Sequence, residues 1–337
     1  MITILKPGLL TTIQDLGRYG FQKYGVIVSG AMDATAHIIA NLLVGNNQFM
    51  PTLEITLVGP AVQFKEDSLI SICGGDLSPE INGKFVSTWR TIFVEKDSIL
   101  TFGKAISGCR AYLAVSGGFA VPSVMNSYST YLRAEIGGYF GKALQAGDSL
   151  QYGKASELAK RWSEKLKKKQ CINGMVEEKW TIAPTMISSY QKDISVHLLK
   201  GREFFLFSKE SQCKLFQEEF TISSKSDRMG YRLQGEALFL EKQQEMISEA
   251  VDFGTIQVPA DGNPIILLAD RQTIGGYPKI GQIATVDFSS LAQAKPNDRL
   301  RFTEINHHDA QILLLKRQQE MKQLSKGIYY NVIMGGT

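Results

Sequence analysis

The 337-residue chain sets 37 lysines and arginines against 33 aspartates and glutamates, a formal charge of +4, and 44% of its residues are hydrophobic. That is ordinary globular composition, with chain enough for two domains or one large one, and it excludes intrinsic disorder. So weak a charge, with its one dense basic run (KLKKK, 165–169) on a solvated helix face, argues against nucleic-acid binding, and no apolar run reaches the roughly 18 residues of a membrane span.

In chain order, residues 1–153 alternate short β-rich runs (2–5, 68–72, 91–94, 99–102, 111–115) with Gly, Pro, Asp and Asn punctuation. Closely spaced short strands predict a barrel or sandwich. One helix interrupts them, from 31 to about 44, with Ser29 as its cap and Gly45 as its stop. Residues 154–192 open with KASELAKRWSEKLKKKQ, whose Leu158, Trp162 and Leu166 share one helical face. The segment predicts a helical linker on the surface. Strand texture returns over 193–306, with runs at 196–199, 204–207, 265–269 and 299–302, and 307–337 predicts a helix at about 308–324 and a Gly-ended tail. The start, MITILKPGLL, lacks a basic n-region and a cleavage site, so a cytoplasmic location is expected. Cys73, Cys109, Cys171 and Cys213 form no C-x-x-C and are expected to be reduced and mostly buried.

A faint duplication runs through the chain. ITILKPG from Ile2 parallels VHLLKGR from Val196, SGAMD from Ser29 parallels SDRMG from Ser226, and LEITLVGP from Leu53 parallels SEAVDFGTIQVP from Ser248. SICGGD ending at Asp76 and LLAD ending at Asp270 are each a short strand delivering an aspartate to a loop. Chance similarity of β-rich segments is the alternative to two related barrels.

Five places carry the candidate chemistry. DRQTIGGYP, 270–278, follows a strand directly and is the densest polar-plus-glycine cluster in the chain. Its Asp270, Arg271, Gln272, Thr273, Gly275, Gly276 and Tyr277 suit a ligand approached by backbone amides, or a hairpin that Asp270 and Arg271 merely close. SGAMD offers Ser29 and Asp33 at a helix N-terminus, where unpaired N–H groups favour an anion and where capping alone explains the same residues. Asp15 and Arg18 flank Gly17 and form either a carboxylate clamp or a surface salt bridge. SDRMGYRL brings Arg228, Arg232 and Tyr231 into a short segment that invites an anion. GGYFGKALQ, 137–145, falls one residue short of a phosphate loop and has Ala143 where a magnesium-binding hydroxyl belongs. AVSGG lacks the first glycine of a nucleophile elbow, and the four scattered histidines give no metal site.

The ordered motifs PGLLTTIQDLGRYG, GVIVSGAMD, LEITLVGP, GCRAYLAVSGGFAVP, NSYSTYLR, SDRMGYRL and DRQTIGGYPKIG together resemble the 5-oxoprolinase C-subunit family, also described as allophanate hydrolase subunit 2 or biotin-dependent carboxyltransferase-like proteins. The resemblance runs from about Ile2 to Phe302 and departs at Gly75, Ala260 and the Asn126–Tyr128 stretch. It implies a mainly β fold of two cyclophilin-like β-barrel domains with a few helices. It also implies ATP-dependent opening of 5-oxo-L-proline to L-glutamate in company with a directly bound B-subunit and an A-subunit, the chain being inactive alone. Similar domains form the carboxyltransferase of urea carboxylase, where biotin is the carrier, and relatives in bacilli antagonise a sporulation-kinase inhibitor; fold does not choose among the three. Under the first reading the cofactor is ATP, with magnesium left open, and Asp270, Arg271 and Asp33 are the catalytic candidates. Asp15, Arg18, Ser29, Arg228, Tyr231, Gln272, Thr273, Gly275, Gly276 and Tyr277 are then the substrate-binding candidates.

Overall fold

The computed structural model describes residues 1–187 and 190–333. The chain divides into two compact units. Unit 1 holds Met1–Arg18, Asp33–Ser188 and Glu320–Thr337, and unit 2 holds Tyr19–Met32 and Ser189–Gln319.

Unit 1 contains β1 (Ile2–Lys6), β2 (Leu10–Gln14), β3 (Thr52–Thr56), β4 (Ala61–Phe64), β5 (Ser68–Asp76), β6 (Pro79–Ile81), β7 (Lys84–Phe85), β8 (Thr91–Val94), β9 (Ile99–Phe102), β10 (Ser107–Val115), β11 (Ser149–Leu150) and β12 (Met175–Glu177). They form two six-stranded sheets, in the orders β11-β1-β4-β9-β6-β7 and β12-β8-β5-β10-β3-β2. Ile2, Ile4, Val62, Phe64 and Leu100 of the first sheet share one buried core with Ile55, Ile70, Ile92 and Leu113 of the second. Strands β5 and β10 are buried almost throughout, and so read as continuous apolar runs, because α1 (Ala34–Leu42) packs on their other face. The cap of α1 is Asp33, whose carboxylate accepts from Ala36 N at 3.0 Å, and not the expected Ser29, which lies at φ +57° four residues further upstream.

The segment expected as a linker instead contributes α2 (Glu157–Lys167) and β12 to unit 1. Ser156 caps α2, and Trp162 and Leu166 are buried, with Trp162 stacked on Trp180 at 5.8 Å. Cys73 and Cys109 are buried, whereas Cys171 is half-buried and Cys213 is exposed.

Unit 2 contains β13 (Asp193–Lys200), β14 (Phe220–Ile222), β15 (Gly230–Gln234), β16 (Glu249–Ala250), β17 (Thr255–Gln257), β18 (Ile265–Leu267), β19 (Ile274–Gly275), β20 (Lys279–Ile283) and β21 (Arg299–Glu304), with α3 (Lys209–Gln217) and α4 (Phe288–Ala292). Seven strands close a barrel in the order β13-β20-β17-β18-β15-β14-β21, which removes free sheet edges, and β16 pairs with β19 in a separate two-stranded ribbon. Val196, Leu198, Phe220, Ile222, Leu233, Ile256, Ile266 and Leu300 fill the barrel. The run FFLF, expected as a strand, is a 3₁₀ turn over Phe204–Leu206. Phe204 and Phe207 both point inward at a spacing of three, which suits that helix and not a strand.

The last helix, α5 (His307–Ile333), runs well beyond the expected stop near 324. Its half-buried face continues through Met321, Leu324, Ile328 and Val332, so the helical period outlasts the point where the apolar composition thins.

Candidate active site

Register fixes which residues meet at the barrel ends. In the antiparallel pair of β15 and β18, Gly230 faces Leu267 and Arg232 faces Ile265. The residues before β15 and after β18 therefore lie together at one end, where Asp270 N donates to Arg228 O at 2.9 Å and Leu268 N to Met229 O at 3.0 Å. There the Arg228 guanidinium grips the Asp270 carboxylate with two bonds, Nε to Oδ2 at 2.8 Å and Nη2 to Oδ1 at 3.1 Å. Ser29 Oγ donates to Asp270 Oδ1 at 2.8 Å, and Arg228 Nη2 donates to the Gly30 carbonyl at 2.7 Å.

The 29–30 turn makes both contacts because Ser29 (φ +57°) and Gly30 (φ +93°) sit in the left-handed region, which for serine costs about 1–2 kcal/mol. Ser29, Arg228 and Asp270 are 5%, 7% and 8% exposed, so the ion pair works in a low-dielectric setting where a missing partner is expensive. These three residues are what the structure assembles from the sequence candidates.

The rest of DRQTIGGYP departs from the expected compact loop. Strand β18 ends beside Gly230, whereas β20 begins at Lys279 opposite Gln257, at the other end of the barrel. The connection must cross the barrel's length, and it does so through β19, paired as Glu249 with Gly275 and Ala250 with Ile274. Arg271 stays at the Asp270 end but turns away from it. It pairs with Asp252 and donates to the carbonyls of Leu268 (3.3 Å) and Val251 (3.4 Å), and burial lowers its pKa against the opposing charge of Asp252. Gln272 reaches Gln257 at 3.4 Å, and the Thr273 carbonyl accepts from Val251 N at 3.2 Å. Gly276 and Tyr277 lie at the far end, lining a cleft with Val258. Tyr231 is a core residue whose hydroxyl donates to Ala294 O at 2.8 Å.

The unit 1 candidates do other work. Asp15 accepts from Ser127 Oγ (2.8 Å), Tyr128 N (2.6 Å), Gly17 N (2.8 Å) and Ser129 Oγ. Arg18, fully buried, donates to the carbonyls of Val124 (3.1 Å) and Ser129 (2.9 Å). Both residues thus hold the 124–130 stretch.

Asp33 is fully buried, and its N–H donates to Tyr112 Oη, which donates in turn to Glu54 Oε2, both at 2.8 Å. Burial and the two carboxylates push the Tyr112 hydroxyl's pKa well up. Next to it on α1, His37 bonds Thr52 Oγ1 (2.9 Å) and Gln48 O (3.0 Å), and burial lowers its pKa to about 4. Sequence reasoning missed this network; the available signal was a carboxylate, Glu54, set between Leu53 and Ile55 in the strand TLEIT. Among the described residues no group of three or more His, Cys, Asp or Glu is placed to hold a metal ion.

A family profile described as "Carboxyltransferase domain, subdomain A and B" matches residues 24–304. The chain is 36% identical to the 5-oxoprolinase C-subunit of Haemophilus influenzae, over 97% of this chain and 98% of that one. It is 35% identical to the 5-oxoprolinase C-subunit of Escherichia coli, over 96% and 98%. It also superposes on the crystal structure of Kluyveromyces lactis urea carboxylase with a TM-score of 0.86 at 27% identity, covering 97% of this chain and 29% of that one.

Proposed function

This chain belongs to the 5-oxoprolinase C-subunit family and its carboxyltransferase subdomain A and B fold, and from that premise we propose that it is one member of an ATP-dependent, three-part 5-oxoprolinase. With the A- and B-subunits it converts 5-oxo-L-proline to L-glutamate, ATP binding in the assembled enzyme. The observation that carries the reading is near-complete mutual coverage with chains named as 5-oxoprolinase C-subunits, against less than a third of the length of urea carboxylase.

A lactam resists water because amide resonance weakens its carbonyl as an electrophile and its nitrogen as a leaving group. Transfer of a phosphoryl group from ATP to the lactam oxygen, with ADP leaving, removes both obstacles. One water then adds to the ring carbon, the C–N bond breaks, and nitrogen departs with a proton as the amine. A second water releases phosphate from the acyl phosphate left behind. This chain's part is placement. Asp270, oriented by its two bonds from Arg228, fixes the Ser29 hydroxyl against the ring. Arg271, whose partner Asp252 is 80% exposed and so weakly held, exchanges that partner for the substrate carboxylate.

The test is glutamate release from 5-oxoproline by the purified chain, alone and with the A- and B-subunits, with ATP present or omitted. The expected result is activity only in the ATP-containing mixture of all three. Full activity of the chain alone overturns the reading.

The urea carboxylase likeness favours a second reading, a carboxyltransferase half that accepts carboxylated biotin from a separate carrier. Carboxyl transfer from carboxybiotin to urea, with no turnover of 5-oxoproline, selects it.

A further inference from the structure

Beside Arg271 the chain holds an exposed carboxylate more firmly than its exposure alone would lead one to expect. Residues 252–255 form a turn closed by Thr255 N, which donates to Asp252 O at 3.1 Å, with Gly254 at φ +82° in the third position as a type II turn requires. The turn is tied to strands on both sides, Gly254 N donating to Leu267 O at 2.7 Å and Ile283 N to Gly254 O at 2.9 Å.

A short polar chain lies beneath the turn. Asp252 N donates to Thr255 Oγ1 at 3.0 Å, Thr255 Oγ1 donates to Gln282 Oε1 at 2.8 Å, and Gln282 Nε2 donates to Phe253 O at 2.6 Å. Thr255 is buried, so its hydroxyl bonds are shielded from water and hold the main chain of Asp252 in place. The Asp252 side chain, 80% exposed, is then aimed by Phe253 N, which donates to its Oδ1 at 2.7 Å, and the same oxygen meets Arg271 Nη2.

An exposed ion pair normally contributes little, because two mobile side chains must be stilled to form it. Here both are already still. Arg271 is buried and donates to the carbonyls of Leu268 and Val251, while Asp252 is fixed through its main chain. Such preorganisation strengthens the pair, yet the carboxylate stays open to solvent, where a dissolved carboxylate competes with it for the same guanidinium.

We propose that Asp252 is a built-in competitor for the carboxylate subsite at Arg271, and that Thr255 and Gln282 are positioning residues that set its strength. A substrate carboxylate binds there only as far as it displaces a ligand the chain itself carries, and a lactam without a carboxylate has nothing with which to displace it. The proposal rests on the 5-oxoprolinase reading above, in which Arg271 takes the substrate carboxylate.

The test compares 5-oxoproline turnover, in assemblies with the A- and B-subunits, for the native chain, Asp252→Asn, Thr255→Val, Thr255→Ser and the double variant Asp252→Asn/Thr255→Val. Asparagine keeps an acceptor for Phe253 N and drops the charge; valine keeps the shape of threonine and drops the hydroxyl. In Asp252→Asn the KM is expected to fall about two- to fivefold, the range an exposed pair is worth, with kcat unchanged. Thr255→Val shifts KM the same way by a smaller factor, Thr255→Ser keeps the native value, and the double variant matches Asp252→Asn alone. In the full chain by itself, exchange of the Asp252 amide is expected to quicken at least about tenfold in Thr255→Val and not in Thr255→Ser. A KM that rises or stays fixed in Asp252→Asn overturns the competitor and leaves the function standing. A further drop in the double variant, or an Asp252 amide no faster in Thr255→Val, overturns the positioning role. No turnover by the native assembly overturns the 5-oxoprolinase reading and the competitor together.

Discussion

Replacing Arg228 by Met is the most direct probe of the Ser29–Arg228–Asp270 cluster. The side chain keeps its approximate volume but leaves the Asp270 carboxylate, 8% exposed, with only Ser29 as a side-chain donor among the bonds described above. Breaking a buried pair from one side costs about 3–5 kcal/mol, because the surviving charge is uncompensated. Replacing both partners, Arg228→Met with Asp270→Leu, removes that charge. What remains is the Ser29 hydroxyl without its acceptor and the Gly30 carbonyl without its donor, about 1–3 kcal/mol in sum. The double variant is therefore expected to be more stable than either single one, with a coupling energy of about 3 kcal/mol or more. Tryptophan fluorescence does not report on this unit, since Trp89, Trp162 and Trp180 all belong to unit 1. Native-state exchange of the Leu268 and Asp270 amides does, because they bond the carbonyls of Met229 and Arg228. Their protection is expected to fall by about two to three and a half orders of magnitude in Arg228→Met and to recover most of the way in the double variant. A single-variant loss below about 1 kcal/mol, or a double variant no better than the worse single, refutes the account of a tightly coupled buried pair.

Ser29 separates backbone strain from hydroxyl chemistry: Ser29→Ala loses the bond to Asp270 and keeps the left-handed strain, while Ser29→Gly loses the bond and relieves it. Urea unfolding followed at unit 2 amides should find Ser29→Gly the more stable of the two by about 1 kcal/mol, and both should lose turnover of 5-oxoproline in the reconstituted enzyme. Equal stability would show that Ser29 is not strained. His37 gives unit 1 a pH dependence of definite sign. Above about pH 6.5 its imidazole is neutral both folded and unfolded; between there and about pH 4 only the unfolded chain takes up the proton, so stability drops by roughly 3 kcal/mol as pH falls. His37→Gln keeps hydrogen-bonding capacity toward Thr52 and Gln48 and should flatten that slope in tryptophan-monitored unfolding; an unchanged slope assigns it to other groups.

Much of the β architecture is legible from the chain because short alternating runs between glycines and prolines have few other outcomes. Val62 and Phe64, two apart, face one core, as period two demands. Ser29, Arg228 and Asp270 each stand out as polar groups in short loop motifs, but their mutual bonding joins positions 42 and 241 residues apart and is invisible to local pattern. The same limit hides the bond from Tyr112 to Glu54. Composition also misleads over 270–278, where two glycines and a proline suggest one tight loop. The direction of β18 and the start of β20 at the opposite end force that segment to cross the barrel instead.

That crossing explains why one motif carries residues of such different character. Its first part must satisfy a buried cation at the closed end of β15 and β18, which demands Asp270 at a fixed point and leaves little tolerance for change. Its middle passes close to the buried Gln257 amide, which would have to shift for a Cβ on Gly275, 2.2 Å away. Its last part ends the ribbon with a proline and leaves Tyr277 half exposed over an apolar recess. A loop built only to hold a small ligand would not need its polar and its aromatic residues at opposite ends of a barrel. A strap that completes a polar site at one end and an apolar seat at the other does need that order, and it is the order the chain has.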